Sequence, residues 1–426
     1  MPRNPPLATD GWGGRMGKDN EGFRRLHFGN CLMHILTLST LFPNALQPVH
    51  ALFVRARMEH FSRQYGHRWT VVAPVPFFPK IPFRTLKAYD TFARVPRYEE
   101  TRGYPVHHPR YLVTPKVGMR FYGAWMTAGV RRLVKVLHAK DPFDAIDGHY
   151  VYPDGTAAVR LGKELGIPVV LSARGTDLNL FPKLPGIADL IRSNLNSSRH
   201  LICVSEGLRQ EALKLGVSGE KVSVIGNGVD TNRFRRGDMR TAREFLGLPH
   251  DATVILSVGH LTGLKGFHLL IDAVSRLGRD QVVLAIVGDG PERGPLERLA
   301  ESLHLGDRVR FAGAVGNDDL PAWYQSADLF ALASSREGWP NVLCEAQACG
   351  LPVVATKIRG ISEIVHGDEL GILVEERSGE GLCTGLERAL SKAWDRSLIA
   401  SVGSARTWDR VADELASVFD TIREPR

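Results

Sequence analysis

Residues 329–356 read LFALASSREGWPNVLCEAQACGLPVVAT. Apolar runs stand at both ends of this stretch, and a short helix-like segment lies between them. Apolar strands joined by helices are typical of a parallel sheet that is covered by helices on each side. Two acids, Glu337 and Glu345, stand at the turn from strand to helix. The stretch therefore predicts an α/β fold with a polar site where a strand ends.

The same alternation of strand-like and helix-like runs continues through most of the chain. It pauses at GVSGEKVSVIGNGVDTNRFRRGDMRTAREFLG, which is rich in Gly and polar residues. We therefore predict two doubly wound, Rossmann-like domains that face each other across a cleft. The predicted parts are a disordered basic tail at 1–28, a first domain at 29–220, a second domain at 221–405, and a helix at 406–424 that packs back on the first domain.

The composition of the chain limits its class. Of 426 residues, 43% are hydrophobic and 23% are charged, as in ordinary globular proteins. The chain has no run of about 18 apolar residues, so no transmembrane helix is predicted. Its five cysteines lack metal-site spacing, and its first 28 residues lack the apolar core of a secretion signal. These features predict a reduced, cytoplasmic setting.

The segment SVGHLTGLKGFHLLIDA reads as a strand, a Gly-containing loop and a helix, with His260 and Lys265 in the loop. The start of a helix presents unpaired N–H groups and a partial positive charge, so it attracts phosphate. A lysine beside it adds a full charge. The alternative is that Lys265 is only solvated.

The turn EGWPNVLCE offers groups for a nucleotide sugar. Gly338 and Pro340 shape its backbone so that N–H groups suited to a diphosphate are free at the helix start. These are the N–H groups of Asn341, Val342 and Leu343. A carboxylate accepts hydrogen bonds from paired hydroxyls, so Glu345 could hold a ribose and Glu337 a sugar. Alternatively, Glu345 caps its own helix and Glu337 is solvated.

Taken in order along the chain, these motifs resemble those of the family 4 retaining glycosyltransferases. EGWPNVLCE resembles the family's two Glu residues separated by seven positions, and SVGHLTGLKGF resembles its phosphate loop. IVGDGPER, ADLFALAS and NGVDTNRF follow in the family's order. LSTLFPNALQP, VVAPVPFFP, GYPVHHPRY and HYVYPDGTAA resemble the branch that builds bacterial exopolysaccharides and teichuronic-type polymers. The resemblance covers about residues 31–425 and implies the GT-B fold.

The resemblance also implies roles for individual residues. Lys265 and the amides of the turn would bind the donor diphosphate, Glu345 the ribose, and Glu337 the donor sugar. His149, at the end of the strand DAIDGHY, would reach the cleft from the first domain. A packed histidine at the end of a strand is the alternative.

Three positions depart from the family pattern. Arg174 stands where many members have His; it could stabilise developing negative charge, but it cannot act as a general base at neutral pH. His260 replaces a common Arg of the phosphate loop, which leaves more of the diphosphate to Lys265. Ala51 stands where relatives tend to have Gly.

The family relationship implies a retaining transfer in which no enzymic nucleophile is evident, so the enzyme mainly stabilises the leaving diphosphate. The chain has no Asp-x-Asp motif, so we expect no metal and no cofactor beside the nucleotide-sugar donor. Three alternatives remain open. They are another GT-B enzyme such as an epimerase or a phosphorylase, a non-catalytic scaffold, and a Rossmann oxidoreductase.

Basic residues are concentrated in the first half of the chain. Residues 1–150 contain 22 Lys and Arg against 10 Asp and Glu, and aromatic residues are interleaved with them. A nucleic acid, an anionic membrane surface that carries a lipid-linked acceptor, and a solvated basic face over an aromatic core are the three interpretations. Among the functional ones, the donor motifs favour the membrane. We therefore expect a glycan or lipid-linked acceptor, a peripheral position on the inner face of the plasma membrane, and no nucleic acid.

Overall fold

The computed structural model describes residues 32–77, 92–114, 118–316 and 318–423. The tail predicted at residues 1–28 lies outside the described residues. Within them, no helix has both the length and the hydropathy needed to cross a membrane.

The first half of the chain forms a sheet of eight strands, with a small sheet of two strands beside it. In chain order the strands are β1 His34–Leu38, β2 Arg68–Val72, β3 Val75–Phe77, β4 Tyr98–Thr101, β5 Tyr104–His107, β6 Arg110–Leu112, β7 Ala145–His149, β8 Val169–Ala173, β9 His200–Cys203 and β10 Val222–Val224. The large sheet has the order β10-β9-β8-β7-β1-β2-β5-β4 and is parallel except for β4, while β3 pairs with β6.

The second half of the chain forms a parallel sheet of six strands. These are β11 Thr253–Val258, β12 Val282–Val287, β13 Val309–Gly313, β14 Leu329–Leu332, β15 Val353–Thr356 and β16 Gly371–Val374, in the order β13-β12-β11-β14-β15-β16. In each sheet the order reverses beside the first strand of the domain, which is the doubly wound arrangement that sets binding sites at the carboxyl ends of the strands.

Helices cover the faces of both sheets. In the described residues they are α1 Leu52–Tyr65, α2 Tyr122–Lys140, α3 Asp154–Leu165, α4 Thr176–Asn179, α5 Ala188–Ser197, α6 Glu206–Lys214, α7 Met239–Leu246, α8 Phe267–Arg276, α9 Arg293–Ser302, α10 Leu320–Ser326, α11 Asn341–Ala348, α12 Gly379–Leu390, α13 Arg396–Ser404 and α14 Trp408–Arg423. Polar side chains cap several of them; Ser378, for example, accepts the N–H of Gly381 at the start of α12.

Apolar strands buried on both faces form the centre of each domain. Every residue of β7, β8, β14 and β15 is buried. Burial of one Leu, Ile or Phe side chain contributes roughly 1.5–3 kcal/mol, so these strands anchor the ends at which the polar residues lie.

The final helix returns to the first domain. In α14, Phe419 lies 5.4 Å from Phe61 of α1 between ring centroids, and Trp408 and Val411 belong to the same buried cluster. This contact ties the end of the chain to the helix that follows β1.

The first domain extends beyond the boundary predicted at residue 220. Strand β10 pairs in parallel with β9, with Val222 opposite Leu201 and Val224 opposite Cys203. Its short sequence, VSV, lies inside the Gly-rich stretch that was interpreted as the join between the domains. The first sheet therefore ends at Val224.

The residue before α1 has a strained backbone. Ala51 has φ 49° and ψ 43°, in the left-handed region. This conformation costs a residue with a Cβ atom roughly 1–2 kcal/mol, whereas Gly adopts it readily. The family resemblance predicted Gly at this position, and the backbone of Ala51 has the conformation that Gly favours.

We expect Ala51→Gly to stabilise the protein by about 0.5–1 kcal/mol, because relief of the left-handed strain exceeds the added entropy of the unfolded chain. The free energy of unfolding, measured by denaturant titration, checks this. Ala56→Gly is the matched control, since it places Gly inside α1 and should destabilise by about 1 kcal/mol. Equal destabilisation by both changes would contradict the assignment of strain to Ala51.

Candidate active site

The turn after β14 touches the first domain directly. A Cβ atom at Gly338 would lie 2.1 Å from the carbonyl oxygen of Arg174 and 3.1 Å from the Cα of Gly175. No side chain fits there, so a glycine at this position lets the two domains approach at the carboxyl ends of β8 and β14. The cleft predicted from the sequence is closed at this point by backbone contact.

Lys265 and Glu337 form an ion pair in the second domain. Lys265 Nζ lies 2.6 Å from Glu337 Oε1, and Ser334 Oγ donates to the same oxygen at 2.6 Å. The side chain of Glu337 is 11% exposed and that of Lys265 is 26% exposed. Neither residue is simply solvated, so these alternatives from the sequence analysis do not hold.

Close backbone contacts place the loop that carries Lys265 against the end of β14. Gly266 has φ 70°, and a Cβ atom there would lie 2.2 Å from the carbonyl oxygen of Ala333. The N–H of Ser335 donates to the carbonyl of Leu264 at 2.8 Å. A residue 72 positions away from Glu337 is thereby placed against it.

Helix α11 begins at the predicted diphosphate site. In the described part of the chain, the N–H groups of Asn341 and Val342 have no acceptor, as is typical of the first turn of a helix. The N–H of Leu343 donates to the carbonyl of Pro340 at 3.0 Å. The sequence analysis counted this third N–H as free, but the tight first turn uses it.

Glu345 lies apart from the ion pair and borders a cavity between the domains. The hydroxyl of Tyr324 donates to Glu345 Oε2 at 2.7 Å, so this acid does not cap its own helix. Desolvation raises the pKa of Glu345, while the bond from Tyr324 and the charge of Arg233 oppose that rise. The cavity has a volume of about 260 Å³, and Asn341 and Phe53 also line it.

A chain of hydrogen bonds crosses from the first domain to the start of α11. His149 Nε2 lies 2.9 Å from Asp147 Oδ2, and His149 Nδ1 lies 2.6 Å from Arg174 Nη2. Arg174 Nη1 donates to Asn227 Oδ1 at 3.0 Å, and Asn227 Nδ2 donates to Asn341 Oδ1 at 2.9 Å. The guanidinium of Arg174 is thus linked through Asn227 to Asn341, the first residue of α11.

The protonation of His149 follows from its partners. A guanidinium has only donors, so Nδ1 accepts from Arg174 and Nε2–H donates to Asp147. The side chain is fully buried, and desolvation lowers its pKa to about 4, which keeps it neutral at pH 7. In this structure His149 orients Arg174, whereas the sequence analysis expected it to face a substrate in the cleft.

Arg174 keeps its positive charge at neutral pH. Desolvation lowers its pKa to about 9, and the nearby charge of Arg57 adds to this effect. Its guanidinium carbon lies 5.1 Å from the centre of the Phe53 ring, a cation–π contact. The carboxylate of Asp177 accepts the N–H groups of Arg174 and Gly175 and so holds the loop that carries this charge.

His260 lies on the exposed part of the phosphate loop. Its Nδ1 is 2.6 Å from the carbonyl oxygen of Asp289. The loop is braced on another side by Arg377, whose Nε donates to the carbonyl of Ala333 at 2.9 Å and whose Nη2 donates to that of Gly263 at 3.4 Å.

Sequence reasoning missed several residues that orient the predicted groups. These are Ser334, Tyr324, Asn227, Asp147 and Arg377. Asn227 lies in NGVDTNRF, a segment that was quoted for the family resemblance, but no local pattern shows which residue it contacts. The others are ordinary parts of strands, helices or loops, and only the tertiary fold brings them to the site.

Buried Asp154 fixes the loop that leaves β1. Its Oδ2 accepts the hydroxyl of Thr40 at 3.1 Å, and its Oδ1 accepts the N–H of the same residue. Burial raises the pKa of Asp154 to about 7, while the bonds from Thr40 oppose the rise and the charge of Asp177 adds to it.

Solved structures with the same arrangement of domains identify the class of fold. The structure resembles sucrose-phosphate synthase from Thermosynechococcus elongatus, with a TM-score of 0.74 and 19% identity over 92% of this chain and 99% of that one. It also resembles Anabaena Alr3699/HepE in complex with UDP-glucose, with a TM-score of 0.66 and 22% identity over 91% of this chain and 100% of that one. Two Rossmann-like domains facing a cleft define the GT-B class, and that prediction is confirmed.

Sequence comparison identifies the family. Residues 63–233 match the model described as Glycosyltransferase Family 4, and residues 238–401 match Glycosyl transferases group 1. A protein of Bacillus subtilis (strain 168), whose provisional name is teichuronic acid biosynthesis glycosyltransferase TuaC, is 30% identical over 84% of this chain and 89% of its own length. The chain therefore belongs to the family 4 glycosyltransferases. This membership decides against the oxidoreductase alternative.

Asp154 should make stability depend on pH. Its folded pKa of about 7 lies above the usual value, so the protonated carboxyl stabilises the fold at low pH. That contribution, at most about 4 kcal/mol, is lost as the pH rises from about 4 to about 7. We expect the free energy of unfolding to fall more steeply over this range in the wild type than in Asp154→Asn. Parallel pH profiles would contradict the raised pKa.

Proposed function

We propose that the protein transfers a sugar, with retention of anomeric configuration, from a nucleotide-diphosphate sugar to a growing lipid-linked polysaccharide of the cell surface. The observation that carries the proposal is the 2.6 Å contact between Lys265 and Glu337 beside the start of α11. A cation, a carboxylate and unpaired helix amides at one point of the cleft form a surface that suits a sugar diphosphate.

The donor would lie across two parts of the cleft. The diphosphate would contact the N–H groups of Asn341 and Val342 together with Lys265, which would exchange its ion pair for a phosphate oxygen. The ribose hydroxyls would donate to Glu345, in the cavity between the domains. The sugar would then lie at Glu337. His260, on the exposed part of the loop, would contribute less than the arginine that is common there.

The chemistry would consist mainly of stabilising the leaving group. Negative charge develops on the diphosphate as the bond to the sugar breaks, and fixed donors aimed at that charge lower the barrier most. Lys265, the helix amides and the charged Arg174 supply this stabilisation without a metal ion. With no protein nucleophile assigned, the acceptor would attack from the face that the diphosphate leaves, which retains the configuration.

The acceptor side of the proposal concerns the membrane. Phe77 and Leu112 are cross-strand neighbours in the small sheet β3–β6, and they are 45% and 36% exposed. Arg120 lies over the ring of Phe121, which is 46% exposed. Exposed apolar groups beside basic residues suit the surface of an anionic bilayer, where a lipid-linked glycan would be met.

The donor proposal predicts protection by nucleotide sugars. UDP-, GDP- and ADP-sugars should be compared by thermal unfolding, and a true donor at 100 times its dissociation constant should add about 2.7 kcal/mol of stability. Lys265→Gln and Glu345→Gln should each weaken binding about tenfold, because each removes a hydrogen bond to a charged group. Glu345→Gln should be at least as stable as the wild type without ligand, since burial raises the pKa of this acid.

Two exposed residues of the second domain serve as controls, through Lys392→Gln and Glu387→Gln. Both should bind the donor as the wild type does. Transfer is then followed with the donor that binds and a lipid-linked acceptor, with and without a chelator, and the product anomer is read by NMR. Loss of activity on chelation, or an inverted product, would contradict the mechanism. Donor binding without transfer would favour a scaffold, and an epimerised nucleotide sugar would favour an epimerase.

The membrane proposal predicts salt-sensitive binding to vesicles that contain phosphatidylglycerol. Phe77→Ser combined with Leu112→Ser should weaken this binding about tenfold or more, because two apolar side chains no longer enter the bilayer surface. Leu398→Ser, at an exposed position of the second domain, is the control. Co-sedimentation of the variants measures the effect. Equal binding to neutral vesicles, or no binding at low salt, would contradict the proposal.

A further inference from the structure

A second cavity, with a volume of about 340 Å³, opens between the domains on the side of Glu337. Asn179 and Lys183 line it from the first domain, and Arg336, Glu337 and Arg359 line it from the second. The cavity beside Glu345 does not include Glu337. If the nucleoside occupies the Glu345 cavity, the cavity at Glu337 is the space next to the donor sugar from which an acceptor can approach.

The acids of this cavity are already paired. Glu337 binds Lys265, and Glu211, which also lines the cavity, lies 2.6 Å from Arg359 Nη1 and 2.9 Å from Lys214 Nζ. The carboxylates present are therefore neutralised by basic residues other than Lys183 and Arg336.

Two cations of the cavity have no such partner. Neither Lys183 nor Arg336 makes a salt bridge or a side-chain hydrogen bond within the described ranges. Arg336 is only partly exposed, and it immediately precedes Glu337 in the chain. A guanidinium held at a domain junction without an acid is available for an anion from outside, and its planar donors match a carboxylate or a phosphate in two-point fashion.

One member of an aromatic pair of the first domain stands close to Lys183 in the chain, although the pair lies outside the lining of the cavity. The ring of Tyr150 meets that of Phe181 edge-on at 5.6 Å, and Phe181 begins the turn that ends at Lys183. Burial raises the pKa of the Tyr150 hydroxyl, the charge of Asp177 adds to the rise, and the charge of Arg336 opposes it. Tyr150 also has φ 82°, a costly backbone conformation of the kind found at binding sites.

We propose that this second cavity, which Arg336 and Lys183 line, binds an anionic group, a carboxylate or a phosphate, carried by the acceptor saccharide. Arg336 and Lys183 hold the anion from the two sides of the cavity. This inference rests on the proposed function, because only a transferase that places its donor sugar at Glu337 needs an acceptor there. It names the acceptor class as an acidic glycan or a phosphorylated one.

The test is calorimetric titration of the full chain at low salt, with the donor site filled by the nucleoside diphosphate that protects best. The probes are methyl glucuronide, glucose 6-phosphate and, as the neutral match, methyl glucoside. At least one anionic probe should bind about tenfold more tightly than methyl glucoside, and the tighter of the two identifies the source of the charge. Arg336→Gln and Lys183→Gln should each weaken that probe about tenfold.

Arg240→Gln removes an exposed arginine that is paired with Glu244, and it should bind the anionic probe as the wild type does. Equal affinity for the glucoside, no binding of any probe, or undiminished anion binding by both Arg336→Gln and Lys183→Gln would overturn the inference. The donor site is tested separately, by the thermal stabilisation that the nucleotide gives, and Arg336→Gln should be stabilised as much as the wild type. If no nucleotide stabilises the wild type, the proposed function fails. The affinity of Arg336→Gln and Lys183→Gln for the anionic probe is then measured without nucleotide and tests the anion site alone.

Discussion

The buried guanidinium of Arg174 constrains the cleft, because a desolvated charge is stable only where hydrogen-bond acceptors are held around it. Its acceptors come from β7, through His149, and from the segment between the domains, through Asn227, while Phe53 of α1 covers its face. Loss of either acceptor would leave a buried N–H of the guanidinium without a partner, which costs roughly 1–3 kcal/mol. Strand β7, the segment between the domains and helix α1 are therefore held together around one side chain. Asn227 also donates to Asn341, which fixes the start of α11 relative to them.

The two acids of the turn, Glu337 and Glu345, have different partners and different environments. Glu337 is paired with Lys265 and accepts the hydroxyl of Ser334. Glu345 stands against a tyrosine hydroxyl in a desolvated position, which raises its pKa. A ligand that donates hydroxyl groups stabilises the charged form of the second acid, so binding and ionisation at Glu345 are linked.

The sequence predicts the parts of this molecule whose signals are local. Buried strands such as β7 and β14 were predicted, as were the two domains and the turn at Glu337. Strands β4 and β5 were missed because YEET and YPVH are short and half exposed, and β10 was missed inside a Gly-rich stretch. The partners of the site residues could not be predicted. Asn227 and Asn341 are 114 positions apart, and no periodicity marks a contact that exists only once both domains have folded.

The ion pair of Lys265 and Glu337 keeps both charged side chains in position when no ligand is bound. Two isolated charges at 26% and 11% side-chain exposure would each lose hydration without compensation. Paired at 2.6 Å, they offset that cost and remain where the reaction needs them. In the proposed function, an arriving diphosphate would offer Lys265 a stronger anion and free one oxygen of Glu337 for a sugar hydroxyl, while Ser334 would keep that carboxylate in place. The exchange would require only a change of partner at fixed positions, so the contacts that preorganise the site would be the ones given up on binding.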